Sequence, residues 1–156
     1  MSATIRTGTV NDLPQVLNLI SELAIYEKAP HEVEVSIIEM TNWGFGTEKI
    51  FDFFVIEKNS KIIGIAVYYF KYSTWKGKCL FLEDIIITES ERKNGYGKLL
   101  FEEVVKVAKL KKVRRMEWQV LEWNTPAIEF YKKFNSNFDG EWINCKLTAS
   151  QIENFN

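Results

Sequence analysis

Apolar and polar residues follow two rhythms along this chain, and each change of rhythm marks an element. Ile5-Arg6 starts a short strand. Asn11 or Asp12 then offers a helix cap, and Pro14 suits a first helical turn. Val16, Leu17, Ile20, Leu23 and Ala24 recur at the spacing of one buried helix face, up to about Glu27, where Ala29-Pro30 breaks the pattern. A second short helix is predicted over 36–41 and ends at Gly44-Phe45-Gly46. Residues 51–57 and 62–72 read as strands joined by the turn Lys58-Asn59-Ser60-Lys61. Lys76-Gly77-Lys78 turns into a third apolar, β-branched run ending at Thr88. Leu100, Val104, Val107 and Ala108 mark the inner face of a helix from about 95 to 111. Residues 115–121 are predicted as a strand and 124–134 as a helix. Asn137-Phe138 and 142–147 are predicted to close as a hairpin around Asp139-Gly140.

The order β-α-α-β-β-β-α-β-α-β-β describes an α/β domain with a mixed sheet. Its first half is antiparallel, and a helical crossover leads to a parallel strand. The chain has 156 residues, 46% of them hydrophobic, enough for one domain over 1–156 with a substantial core. Twenty basic against 21 acidic residues leave a formal charge of −1, which gives no reason to expect nucleic acid. The basic run Lys106, Lys109, Lys111, Lys112, Arg114, Arg115 suits a solvated helix end. No apolar run approaches the roughly 20 residues that cross a bilayer, and no signal-peptide pattern opens the chain, so no membrane partner is expected. Cys79 and Cys145 lack CxxC spacing and His31 is the single histidine, so the expectation is reduced thiols, no metal and a cytoplasmic location.

Between the run ending at Thr88 and the helix that follows stands Arg92-Lys93-Asn94-Gly95-Tyr96-Gly97. Strand, glycine loop and helix N-terminus together make a phosphate cradle, because the first N–H groups of a helix have no internal partner. Two glycines also fit a plain tight turn. A nucleoside-triphosphate loop needs GxxxxGK followed by Ser or Thr, which is absent. A dinucleotide fold needs a third glycine where this chain has Leu100.

Arg-x-x-Gly-x-Gly at this turn resembles the GCN5-related N-acetyltransferase (GNAT) family. A second match is Asn124-Thr125-Pro126-Ala127-Ile128-Glu129-Phe130-Tyr131, similar to the family's Asn-x-x-Ala-x-x-Phe-Tyr segment. Glu22-Leu23-Ala24, Gly44-Phe45-Gly46, Tyr68-Tyr69-Phe70, Trp75-Lys76-Gly77-Lys78, Leu82-Glu83-Asp84 and Glu122-Trp123-Asn124 narrow the resemblance to the diamine (spermidine/spermine) and thialysine N-acetyltransferase group. The resemblance implies a central mixed, twisted sheet flanked by helices and acetyl-coenzyme A as co-substrate. It implies that Arg92, Lys93, Asn94, Gly95, Tyr96, Gly97 and Lys98 grip the pyrophosphate, and that the backbone of Ile85, Ile86 and Ile87 pairs with the pantetheine arm. Asn124 would reach the coenzyme and Tyr131 would protonate the departing thiolate. A homodimer is implied as well.

Acetyl transfer needs a neutral amine, yet an alkyl amine arrives protonated with a pKa of about 10. A carboxylate must accept that proton directly or through water. Glu83 is the candidate, with Asp84 beside it. On a regular strand the two would face opposite ways. Structural salt bridges are the alternative use for both. The resemblance places Tyr26 and Glu27 at the amine, with Glu117, Trp118 and Gln119 on an opposite wall. Asn135 stands where the family often has glycine, and asparagine tolerates the left-handed turn there. Two departures bear on the acceptor: the acid that precedes Gly-Trp in the diamine group is here Asp139 or Glu141 or is missing, and Lys28 puts a cation beside Glu27. Thialysine or a lysine analogue is therefore an alternative to a polyamine, and a non-catalytic acyl-coenzyme A sensor is a further one.

Overall fold

The computed structural model describes residues 3–155 of the chain. It contains β1 (Thr4–Thr7), α1 (Leu13–Tyr26), α2 (Ile37–Phe45), β2 (Asp52–Lys58), β3 (Lys61–Ser73), β4 (Gly77–Ile87), α3 (Tyr96–Leu110), β5 (Arg115–Glu117), α4 (Thr125–Lys132) and α5 (Ala149–Glu153). Residues up to Gln119 form one compact unit, and those from Val120 form a second.

The first unit is a five-stranded sheet in the order β1-β2-β3-β4-β5, antiparallel except for the parallel β4–β5 pair. Its local signals act as expected. Pro14 lies in the first turn of α1, and Ser36 and Glu39 cap α2 reciprocally. Asn59 and Ser60 both adopt positive φ (53° and 61°), the conformation a two-residue hairpin turn demands. Asp12 spends its carboxylate on Arg6, at 2.7 and 2.8 Å, and on the Thr9 N–H at 2.7 Å. Those hydrogen bonds hold Asp12 down at about 2.

Alternation along the strands splits the core between two faces. Val55, Ile65 and Ile86 meet Leu13, Val16, Leu19 and Met40 of α1 and α2. Ile56, Ala66, Leu80 and Leu82 point the other way, the side on which α3 brings Leu100, Phe101 and Val104. Each such aliphatic side chain contributes about 1.5–3 kcal/mol on full burial. Gly64 lets β3 and β4 approach, since a Cβ there would meet Ile87 Cδ1 at 2.3 Å and the Ile86 carbonyl at 2.8 Å.

One irregularity in this sheet decides the site. Val67 pairs with Asp84 and Tyr68 pairs with Leu82, so Glu83 has no partner on β3 and β4 bulges there. The extra residue shifts the phase of β4 by one.

In the second unit Asn124 caps α4 by accepting from the Ala127 N–H at 3.3 Å, and Phe130 packs edge-on against Tyr131 and Phe134. Asn135 takes the left-handed conformation (φ 55°), which asparagine tolerates after a helix end. Two expectations need correction. The strand over 115–121 ends at Glu117. No hairpin forms over 137–147; Phe138, Trp142 and Ile143 are exposed, and Asp139 accepts from the Glu141 N–H and the Trp142 Nε1–H in a local turn that displaces ladder pairing. The chain instead adds α5, whose Thr148 and Gln151 form a capping box legible as Thr-x-x-Gln.

Candidate active site

The bulge at Glu83 turns both acids to one face of the sheet. Leu82 faces α3 with its partner Tyr68, whereas Asp84 faces α1 with its partner Val67. Glu83 lies between them and accepts a hydrogen bond from the Tyr69 hydroxyl at 3.0 Å, on the α1 side. The expectation that adjacent acids diverge rested on unbroken alternation, and the bulge overturns it. Tyr69 is held in turn by stacking on Phe81, with ring centroids 5.4 Å apart.

Bringing these groups together has an electrostatic consequence. Asp84 is pushed up to about 6, first by burial and then by the negative charges of Glu83 and Glu27. Burial also raises Glu27, which caps the C-terminus of α1. Tyr69 rises to about 12, through burial and then through its bond to Glu83, so its hydroxyl remains a donor at any working pH. Three carboxyls, Glu27, Glu83 and Asp84, thus lie close enough for the charges of the first two to act on the third. An open cleft of about 840 Å³ adjoins it, lined by Lys49, Phe51, Asp52, Val67, Tyr69 and Glu83 among others.

The other expected wall of the amine site is occupied differently. The Glu117 carboxylate lies 3.2 Å from Lys71 Nζ and 3.3 Å from Arg115 Nε, so its charge is already matched. The Glu117–Arg115 approach lacks hydrogen-bond alignment and is ionic. Trp118 packs edge-on against Phe101 of α3, on the opposite face of the sheet from Glu83 and Asp84. Gln119 is exposed at the end of this unit.

β4 also carries the features that suit a coenzyme. β5 pairs with it at Cys79, Leu80 and Phe81 alone, so beyond Phe81 no strand covers that edge among the described residues. The uncovered stretch runs through Ile85, Ile86 and Ile87, whose other edge is bonded to β3. Ile86 and Ile87 are core residues, and Ile85 is half-buried. The chain then enters the glycine loop. Gly95 has φ +81° with nothing within 4 Å of where a Cβ would stand, and no side chain caps α3. The N–H groups of Tyr96, Gly97 and Lys98 begin that helix. Lys93 also takes positive φ (66°), and Asn94 Nδ2 donates to the Glu91 carbonyl.

Arg92 is turned inward. Its Nε donates to the Ile87 carbonyl at 2.9 Å, its guanidinium lies 3.7 Å from Glu22, and it sits over the Tyr26 ring at 5.2 Å. Glu22 also accepts from Thr88 Oγ1 and from the Glu89 N–H, both at 2.9 Å. Sequence reasoning gave Glu22 no role in the site. One carboxylate of α1 therefore ties down the loop, and a phosphate there would share Arg92 with it.

In the second unit Tyr131 is the seventh residue of α4 and only 6% exposed, and Asn124 is buried at the cap. Sequence reasoning also gave Tyr69 no role in the site. The signal available for Tyr69 was its place two residues from Val67 on one strand face.

A family model described as "Acetyltransferase (GNAT) family" matches residues 13–135. The chain is 34% identical over 139 residues to thialysine N-epsilon-acetyltransferase of Mus musculus, covering 84% of this chain and 82% of that protein. It is 31% identical to spermidine/spermine N(1)-acetyltransferase-like protein 1 of Homo sapiens, over 81% of this chain and 19% of that longer protein. Among solved structures, an aminoglycoside acetyltransferase from an uncultured soil metagenomic sample superposes with a TM-score of 0.76. The two are 17% identical, over 94% of this chain and 95% of the other.

Proposed function

The chain belongs to the acetyltransferase (GNAT) family and moves an acetyl group onto an amine; we propose that the acceptor is a primary amine of a small, free diamine-like molecule. The observation that carries this reading is a single strand. In chain order β4 bears two same-facing acids, an uncovered backbone edge and the lead into an uncapped helix N-terminus. Those are the needs of a cationic amine, a peptide-like pantetheine arm and a pyrophosphate. We read residues 1–156 as one catalytic domain, because the family match runs through the boundary at Gln119.

Acetyl-coenzyme A supplies the activated acetyl group as a thioester. The open edge over Ile85, Ile86 and Ile87 fits its amide-bearing arm, and the start of α3 with Lys93, Asn94 and Lys98 fits its phosphates. Asn124 is assigned to the coenzyme. Glu83 takes the proton from the acceptor ammonium, directly or through one water, so that a neutral nitrogen faces the thioester. Tyr69 holds one oxygen of Glu83 and leaves the other for this task. Asp84, Glu27 and Tyr26 attract the cation. Tyr131 returns a proton to the leaving sulfur.

Within diamine-like acceptors two classes compete. A polyamine fits the three carboxyls, and a thialysine-like amino acid fits the relatives named for that substrate. A second copy of the chain as partner is supported by the exposed Trp142, Ile143 and Phe155 of the second unit. A cytoplasmic setting suits the free thiols of Cys79 and Cys145. Initial rates of thiol release with spermidine, spermine, putrescine, thialysine and lysine, at fixed acetyl-coenzyme A, test the acceptor class. Inactivity towards all five overturns it, and tight coenzyme binding without turnover favours a sensor.

A further inference from the structure

The sheet face that carries Glu83 continues towards β5 as a strip of aromatic and charged side chains. Tyr69, whose hydroxyl holds Glu83, pairs in register with Phe81 and stacks on its ring. Phe81 in turn pairs with Glu117 of β5. Lys71 Nζ lies over the Phe81 ring at 5.5 Å and stands 3.2 Å from the Glu117 carboxylate. Lys71 therefore reaches from β3 across β4 to β5, a contact open only to side chains of one face.

An aromatic ring beside a carboxylate is a seat for an ammonium, and here the protein's own ammonium fills it. We infer that Lys71 takes the place of a second substrate ammonium and so selects among cationic acceptors, because the site receives one ammonium at Glu83 and turns away a further one directed towards Glu117. This assignment rests on the acceptor reading above, in which Glu83 meets the amine. It gives a role to a residue that neither the glycine loop nor the paired acids predict.

Charge supports the assignment. Glu117 faces two cations, Lys71 and the Arg115 Nε at 3.3 Å, so this end of the strip is positive. The side chains of Lys71 and Glu117 are 37% and 28% exposed, within reach of a ligand from solvent. Arg115 is anchored separately, by donating to Ser73 Oγ at 3.3 Å.

Spacing supports it too. Phe81 lies two residues before Glu83 on β4, and Glu117 sits beside Phe81 on the next strand. Strand rise and inter-strand spacing then put Glu117 roughly 8 Å from Glu83 along the backbone surface. A short aliphatic spacer between two amines covers that length, so a second ammonium sent this way would arrive at Lys71. On the other side of Glu83 stand Asp84 and Glu27, both acids. Attraction at one end and repulsion at the other give a cationic acceptor a single direction of entry.

The test compares spermine with n-butylamine, which has a single ammonium. Binding is measured calorimetrically with coenzyme A present, and turnover separately by thiol release from acetyl-coenzyme A. Lys71→Met is expected to raise the affinity for spermine relative to n-butylamine by about tenfold or more, the scale of one charge contact at a partly exposed site. Lys71→Arg keeps the cation and should hold that ratio within about twofold of wild type. Adding Glu117→Gln to Lys71→Met should abolish most of the gain, since the second ammonium then has no acid to meet. Circular dichroism melts establish that each variant folds, and Lys71→Gln replaces Lys71→Met if the latter does not. A ratio unmoved in Lys71→Met, an equal gain in Lys71→Arg, or a gain that survives Glu117→Gln overturns the assignment. Acetylation with an unmoved ratio removes the role of Lys71 alone. The expected binding pattern without acetylation of either amine leaves that role standing and removes the transfer reading instead.

Discussion

The Tyr69 hydroxyl donates to the Glu83 carboxylate at 3.0 Å, at the point where β4 carries one residue more than its partner strand. The bulge places the acid, and the phenol fixes which way it turns. Because burial and the neighbouring carboxylate hold Tyr69 up at about 12, this bond persists across the working pH range. Tyr69→Phe keeps the stack on Phe81 and removes only the donor. The pair is solvent-accessible, so the loss is about 1 kcal/mol and kcat/KM should fall about fivefold. Steady-state kinetics beside an unchanged melting temperature check this. Unaltered kcat/KM would mean that Glu83 needs no orientation.

Tyr131 is assigned the proton for the departing thiolate. A general acid contributes about 10²-fold or more, so Tyr131→Phe should lower kcat by about that factor. KM for acetyl-coenzyme A should move far less. Full activity in the variant removes the assignment, and a loss confined to stability reassigns the ring to packing with Phe130.

Glu22 reaches from α1 to Thr88, Glu89 and Arg92 and holds the loop that leads into α3. Glu22→Gln keeps the shape but loses charge against Arg92 and one acceptor oxygen. Each hydrogen bond of this kind is worth about 1 kcal/mol, so KM for acetyl-coenzyme A should rise about fivefold to tenfold. The amine KM should change less. A rise in the amine KM alone would place Glu22 with the acceptor instead.

The first unit was largely legible because its periodicities are long and its punctuation is strong. Pro14 marks the first turn of a helix, and the Asn59-Ser60 turn and Gly95 take positive φ, which few residues tolerate. The bulge was not legible. It is a relation between two strands, and Leu82-Glu83-Asp84 reads as ordinary alternation until Val67 and Tyr68 show which residue is skipped. Residues 137–147 misled because aromatic and β-branched residues predict a strand wherever they occur. A strand also needs a partner, and the Asp139 turn offered the backbone a local alternative.

Asp84 links the site to stability. Its carboxyl is raised from 3.8 to about 6, so between those values the folded protein holds a proton that the unfolded chain has lost. Stability from this group is therefore full below about pH 4 and is lost as pH rises through about 6. Asp84→Asn carries no such proton. The stability of the variant relative to wild type should rise between pH 4 and pH 7.5 by about 2 kcal/mol, a little under the full shift because the group keeps some contact with solvent. Urea denaturation of both proteins at three pH values measures the difference. A difference that stays flat across the window would show that Asp84 ionises freely in the fold. An acceptor ammonium bound beside Asp84 would offset both its burial and the repulsion from Glu83 and Glu27. Saturating acceptor should stabilise wild type more at pH 7.5 than at pH 5, and Asp84→Asn should lose most of that dependence.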